Sequence, residues 1–187
     1  MERVVVGICG ASGVILGCKT IELLIQKGLY VDVVMTDAAR RTAQEEIDES
    51  FDPASYFSHP NITLHSVQNV GASIASGTYR CLGMAIVPCS MSTLAAIAIG
   101  LSDNLLRRAA DVSLKERRRL VIVPREMPFS LIHLENMVRV TTAGAVIMPP
   151  QPAWYFHPKT IQDVESTIAN RVVQQLGISS DLPEWQG

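Results

Sequence analysis

The amino-acid sequence predicts a three-layer α/β/α sandwich built on a mainly parallel sheet, and three observations carry that prediction. Apolar, β-branched runs alternate along the chain with segments of helical period. The runs are apolar at consecutive positions rather than at every second one, the pattern of strands buried on both faces. The chain has 187 residues and is 48% hydrophobic, which suits one packed domain, 1–187, rather than two.

The elements follow in order. Val4 to Cys9 reads as a first strand and Ile15 to Gln26 as the helix after it; Val31 to Met35 and Ala38 to Ile47 repeat the pair. Glu49 to Pro60, rich in Ser, Asp and Pro, reads as a loop, and Ile62 to Val67 as a short strand. The rhythm resumes with the strand Met84 to Val87, before helical stretches Leu94 to Ile99 and Asn104 to Glu116. Leu120 to Val123 precedes a helix over Ser130 to Val140, and Ala145 to Met148 is the last strand. Apolar residues at Ile161, Val164, Ile168 and Val172 make Thr160 to Leu176 an amphipathic helix. Beyond Gly177 the chain is expected to run as an arm, about 177–187, on the surface or on a neighbouring subunit.

Charge and cysteine usage narrow the function classes. A formal net charge of −2 gives no cationic excess for a nucleic-acid backbone or an anionic membrane. The cations cluster instead, as Arg107, Arg108, Lys115, Arg117, Arg118 and Arg119. Met1-Glu2-Arg3 and the short apolar run that follows lack the form of a signal peptide, so a cytoplasmic protein is expected. No apolar stretch approaches the roughly 20 residues of a membrane helix. Cys9, Cys18, Cys81 and Cys89 form no CxxC and have no His at metal-ligand spacing, so free, mostly buried thiols are expected and a zinc site is not.

Two strand-to-helix turns carry candidate chemistry. Gly10-Ala11-Ser12-Gly13 lets the backbone approach a ligand, and free N–H groups at a helix start attract an anion such as phosphate; Ser12 would cap that helix or touch the ligand. The spacing Gly7-x-x-Gly10-x-x-Gly13 is not the dinucleotide fingerprint GxGxxG, and a plain tight turn explains this loop nearly as well. Val87-Pro88-Cys89 opens into Ser90-Met91-Ser92-Thr93 before another helix. Both turns belong to one carboxyl edge of the sheet, where open α/β sheets bind ligands. Together they suggest a phosphorylated flat cofactor, although ordinary N-caps explain either one alone.

Further along, Arg108 and Lys115 stand two helical turns apart on one face, with Asp111 between them, a spacing that also fits a solvated helix with an Asp111–Lys115 ion pair. The next strand ends in Pro124-Arg125-Glu126 at the ligand-binding edge, where an Arg can hold phosphate and a Glu can move a proton. Pro149 to Pro158 stiffens three consecutive aromatics, Trp154-Tyr155-Phe156, suited to an apolar substrate, an aromatic ring system or a subunit interface. His133 reads as a packed, hydrogen-bonded helix residue.

Gly10-Ala11-Ser12-Gly13, Ile74-Ala75-Ser76-Gly77, Gly83 to Met91, Ser102 to Arg117, Val123 to Pro128, Ile132 to Met137 and Pro152 to Tyr155, in this order, resemble the UbiX/Pad1 flavoprotein family. The resemblance spans Val4 to Ile178. It implies a Rossmann/flavodoxin-like fold and a flavin prenyltransferase that joins a dimethylallyl group from dimethylallyl monophosphate to reduced FMN at N5 and C6, without a metal. The product would serve a UbiD-type decarboxylase. By the same resemblance Gly10, Ala11, Ser12, Thr36, Ser90, Met91, Ser92, Thr93 and Arg125 match the FMN contacts. Arg108, Lys115, Tyr155 and Arg171 match the groups that handle the donor phosphate, and Glu126 matches the acid/base, with Ser12 as a relay and Lys115 in the catalytic set. Family members assemble as homo-dodecamers with shared sites. Leu16, Trp154 and Thr78 depart from the commoner family residues, which bears on pocket shape.

The residues suit this chemistry in their own right. Expelling phosphate from an allylic carbon needs positive charge, many prenyltransferases supply it with Mg²⁺ on a DDxxD motif, and no such motif is present. Arg108, Lys115, Arg125 and Arg171 could stand in for the ion. Two alternatives differ by class. A decarboxylase of the phosphopantothenoylcysteine type needs a catalytic His and a PxMNxxMW-like segment that Met127-Pro128-Phe129-Ser130 does not supply. A non-catalytic FMN-binding subunit would need neither Glu126 nor the cationic cluster.

Overall fold

A computed structural model describes residues 2–182. Its six strands all run parallel in one sheet: β1 (Arg3–Ile8), β2 (Tyr30–Met35), β3 (Ile62–His65), β4 (Gly83–Cys89), β5 (Arg119–Pro124) and β6 (Val146–Ile147), in the spatial order β3-β2-β1-β4-β5-β6. The helices among the described residues are α1 (Val14–Gln26), α2 (Asp37–Glu46), α3 (Pro53–Tyr56), α4 (Met91–Ala98), α5 (Leu105–Lys115), α6 (Leu131–Thr142) and α7 (Ile161–Gln175).

Strand composition dictates the two helical layers. Side chains alternate across a strand, so Val4, Val6 and Ile8 face one core with α1 and α7, while Val5 and Cys9 face a second core with α4, α5 and α6. β4 is buried along its whole length and β5 at every residue after Arg119. That double burial is why both read as unbroken apolar runs. α7 packs against α1, and α4 against α6.

The strand order fixes where a ligand fits. The chain steps outward from β1 through β2 to β3, then returns to pair β4 with the other side of β1. Connections leaving β1 and β4 therefore diverge, and a crevice opens at their carboxyl ends.

Two expectations need correction, and a third lies partly outside the described residues. The stretch expected as a loop, 49–60, contains α3: Asp52 accepts from the Ser55 backbone N–H at 3.0 Å and Pro53 occupies the first turn, a helix start that its Ser, Asp and Pro content concealed. Phe51 and Phe57 bury themselves around it, which ties the segment to the core. The apolar stripe of α7 begins one turn later than its periodicity suggests, because Ile161 is 67% exposed while Ile168 and Val172 are buried. The expected arm lies partly outside the described residues, since 183–187 are not described; Ile178 packs on the first core.

Candidate active site

The ends of β1, β2 and β4 and the starts of α2, α4 and α5 enclose a cavity of about 550 Å³ at the switch crevice, its lining including Gly10, Thr36, Ser90, Ser92, Thr93 and Arg107. Each helix start here is set by a local cap. Thr36 accepts from the Ala39 N–H at 3.1 Å to begin α2, Ser90 from the Thr93 N–H at 3.3 Å to begin α4, and Asn104 from the Arg107 N–H at 3.0 Å to begin α5. Three helices thus direct their positive ends at one cavity, the arrangement that favours a phosphate. Gly10 permits this closeness, since a Cβ there would sit 2.4 Å from the Ala38 Cβ.

Beneath the crevice lies a pair of buried thiols. The Cys9 Sγ hydrogen-bonds the Thr93 Oγ1 at 3.4 Å, and burial pushes the Cys89 thiol well up. All four cysteines are free, with Cys81 half-buried and the others buried.

The glycine loop differs from expectation. Ser12 does not cap α1; Gly13 occupies the cap position with φ 97° and no side-chain cap bond. The Glu46 carboxylate from the end of α2 accepts instead from the Gly13 N–H at 2.9 Å and the Val14 N–H at 3.1 Å. The anion at this helix start is therefore an internal carboxylate. Glu46 was not singled out in sequence because its partners lie over thirty residues away.

Arg125 and Glu126 follow β5 at the same carboxyl edge, both exposed, beside a smaller cavity of about 250 Å³ bounded by Pro124 to Phe129 and Pro149 to Gln151. Glu126 Oε1 accepts from the Met127 N–H at 3.0 Å. No ion pair joins Glu126 to Arg125 among the described residues. Met91 begins α4 beside Ser90, and Ala11 lies in the glycine loop.

The cations assigned to the donor phosphate stand on two elements, Arg108 and Lys115 on α5 and Arg171 on α7. Arg108 bonds the Ala75 carbonyl at 3.2 Å and pairs with Asp111 at 2.7 Å. Lys115 pairs with its neighbour Glu116 at 2.5 Å, and that bond holds the Glu116 carboxyl below its usual range. The Asp111–Lys115 pair suggested by spacing does not form; each residue has a nearer partner. Lys115 ends α5, roughly 15 Å down the helix from the cavity at 1.5 Å per residue. Arg171, bonded to Gln174, lies on α7 in the opposite helical layer. Tyr155 sits in a 3₁₀ turn, its ring 4.4 Å from that of Phe156, and Trp154 and Tyr155 are exposed. His133 completes a capping box with Ser130 at the start of α6.

Comparison with known proteins decides the family. A family model described as Flavoprotein matches residues 1–173. The flavin prenyltransferase UbiX of Chlamydia pneumoniae is 48% identical over 190 residues, covering 99% of this chain and 98% of the relative. The chain belongs to the UbiX/Pad1 flavoprotein family. Among solved structures of UbiX proteins, AnUbiX (PadA1) in complex with FMN and dimethylallyl pyrophosphate superposes with a TM-score of 0.92 at 40% identity, over 100% of this chain and 98% of that one. A dodecameric FMN-dependent Ubix-like decarboxylase from Escherichia coli O157:H7 superposes with a TM-score of 0.90 at 39% identity, over the whole of both chains. The UbiX-type fold of this chain is the three-layer, parallel-sheet architecture expected from its strand pattern.

The residues present fit a flavin mononucleotide. The cavity offers helix starts and hydroxyls for a phosphate, a Gly10 surface that a side chain would fill, and one buried guanidinium nitrogen, Arg107 Nε, without a partner. Among the described residues no group of three or more His, Cys, Asp or Glu is placed to hold a metal, and no helix is long and apolar enough to cross a membrane.

Proposed function

We propose that this chain is a flavin prenyltransferase that transfers a dimethylallyl group from dimethylallyl monophosphate to reduced FMN at N5 and C6. The observation that carries the reading is the phosphate-suited cavity at the switch crevice with Arg125 and Glu126 on the same sheet edge, in a chain similar over its full length to flavin prenyltransferases. When bound, reduced FMN supplies the nucleophilic ring atoms. The work of the chain is to hold the two phosphorylated partners, stabilise the leaving phosphate and move protons.

Gly10, Ala11, Ser12, Thr36, Ser90, Met91, Ser92 and Thr93 would hold the flavin through backbone N–H groups and hydroxyls, with Arg125 at the far side. Breaking the allylic C–O bond leaves negative charge on the phosphate, and Arg108, Lys115, Arg171 and Tyr155 would stabilise it. Because Lys115 and Arg171 occupy opposite layers of one chain, that cluster would be completed between subunits of a homo-oligomer, a dodecamer by its similarity to the Escherichia coli protein. Glu126, exposed and free of an ion pair with Arg125, would exchange protons with the flavin or leaving phosphate, relayed through Ser12. The related structure with dimethylallyl pyrophosphate supports a dimethylallyl phosphate as donor, and the monophosphate is the ester we assign. A cytoplasmic location and delivery of the product to a UbiD-type decarboxylase complete the reading.

Glu126→Gln tests the catalytic assignment. Gln keeps the shape but cannot carry the proton, so FMN affinity should persist while the single-turnover rate falls by about 10²–10⁴. A rate near that of the wild type at saturating reduced FMN would remove Glu126 from the mechanism.

A further inference from the structure

Arg107 lies in the first turn of α5, on the wall of the switch cavity, with its side chain 17% exposed. One guanidinium nitrogen, Nη1, makes both of its bonds to Asp103, at 2.9 Å and 2.8 Å. The Nε is buried and has no hydrogen-bond partner, the sole such side-chain atom among the described residues. An Arg–carboxylate pair is strongest as a two-nitrogen fork, so this one-nitrogen attachment leaves most of the donor capacity of Arg107 unused. Its partner is also replaceable, because Asp103 is 49% exposed and loses little by returning to water.

The surroundings point to an anion. The starts of α2, α4 and α5 converge on this cavity, and Ser90, Ser92 and Thr93 add hydroxyls. Two carboxylates also line it: Asp37, which accepts from the Gln68 Nε2 at 3.3 Å, and Asp103. The start of α1, by contrast, is already satisfied by Glu46. A flavin phosphate therefore has its best electrostatic position among α2, α4 and α5.

We infer that Arg107 is a specificity residue for the flavin phosphate: its guanidinium leaves Asp103 when FMN binds and donates to the phosphate, so that it sets the preference for FMN over riboflavin. The inference rests on the flavin-binding reading above and adds a residue to it. Asp103 acts as the resting partner that keeps the buried cation compensated while the cavity holds no phosphate.

Riboflavin, which has the same ring and ribityl chain without the phosphate, supplies the control. Flavin fluorescence titration in phosphate-free buffer would give the affinities of FMN and riboflavin for wild type, Arg107→Met, Arg107→Gln and Asp103→Asn. Both Arg107 variants should lose about ten- to a hundredfold in FMN affinity, the size of a charge-assisted contact, and hold riboflavin within about threefold. Asp103→Asn should bind FMN at least as tightly as wild type, because it frees the guanidinium. Equal losses for both flavins would make Arg107 a packing residue and overturn the inference, as would an unchanged FMN-to-riboflavin ratio in both variants. A loss of FMN affinity in Asp103→Asn equal to that of the Arg107 variants would overturn the exchange of partners. If Arg107→Met fails to fold, Arg107→Gln, which keeps a hydrogen-bonding group near Asp103, carries the comparison. Wild type that binds neither flavin would instead refute the flavin reading itself.

Discussion

Gly10→Ala tests whether the closeness of the first strand end to α2 shapes the cavity. Gly10 is not in the left-handed region, so an alanine there meets no backbone penalty and any effect comes from packing. The added Cβ would stand 2.4 Å from the Ala38 Cβ, 2.9 Å from the Ala38 carbonyl carbon and 3.1 Å from its Cα. Carbon atoms rest at about 3.5–4.0 Å, so the start of α2 must retreat by roughly 1 Å. Overpacking of this kind costs about 1–3 kcal/mol, and at about 2–4 °C per kcal/mol for a domain of this size Tm should fall by roughly 2–12 °C. Thr36, Asp37 and Ala38 line the cavity beside Gly10, so FMN affinity should fall in the same variant. Calorimetry and flavin titration read both effects. Adding Ala38→Gly removes the nearest atom but leaves the carbonyl carbon and Cα, and should restore stability only in part. A Gly10→Ala protein with wild-type Tm and FMN affinity would show that the contact between Gly10 and Ala38 does not shape the cavity.

Three further expectations follow from particular residues. Lys115→Ala and Arg171→Ala should each weaken donor binding about ten- to a hundredfold while sparing FMN, and mixed oligomers of the two variants should regain part of the donor affinity, because some shared sites then hold both cations; no recovery on mixing and reassembly would contradict a site shared between subunits. Cys81 is half-buried whereas Cys9, Cys18 and Cys89 are buried, so access rather than acidity should decide reactivity: an aromatic disulfide reagent at pH 8 should modify Cys81 first, and simultaneous reaction of all four would contradict the packing. Backbone N–H groups of Lys159 and Thr160 hold the Asp163 carboxyl below its usual value, which stabilises the fold above the ordinary Asp pKa of about 3.9 and ceases to do so as pH falls through the lowered folded value. The stability difference between wild type and Asp163→Ala should therefore shrink in acid; a difference constant from pH 7 to pH 2 would remove this role.

The sheet was legible because every strand except β3 carries consecutive apolar residues, and in β1, β2, β4 and β5 burial on both faces leaves that signature whatever the surrounding loops do. β3 is open on one side, with Leu64 38% exposed, and it reads faintly for that reason. α3 was hidden because a four-residue helix has too short a period to register, leaving its Asp52–Pro53 cap as the usable signal. Within the site, the strand-end turns at Gly10 and Ser90 were visible as glycines and hydroxyls ahead of apolar helices. Glu46 and Arg107 were not, since one reaches Gly13 from thirty-three residues away and the other looks like part of a surface charge run until α5 is set against the end of β4. The family resemblance brought Lys115 and Arg171 together by name, whereas the fold assigns their helices to different layers of the chain.

The most direct test of the central claim is the mass of the flavin released after the protein turns over with reduced FMN and dimethylallyl monophosphate under anaerobic conditions. A flavin heavier by one dimethylallyl-derived unit is expected, formed with release of inorganic phosphate and only when both substrates and the protein are present. FMN recovered at its original mass, with the donor intact, would contradict it.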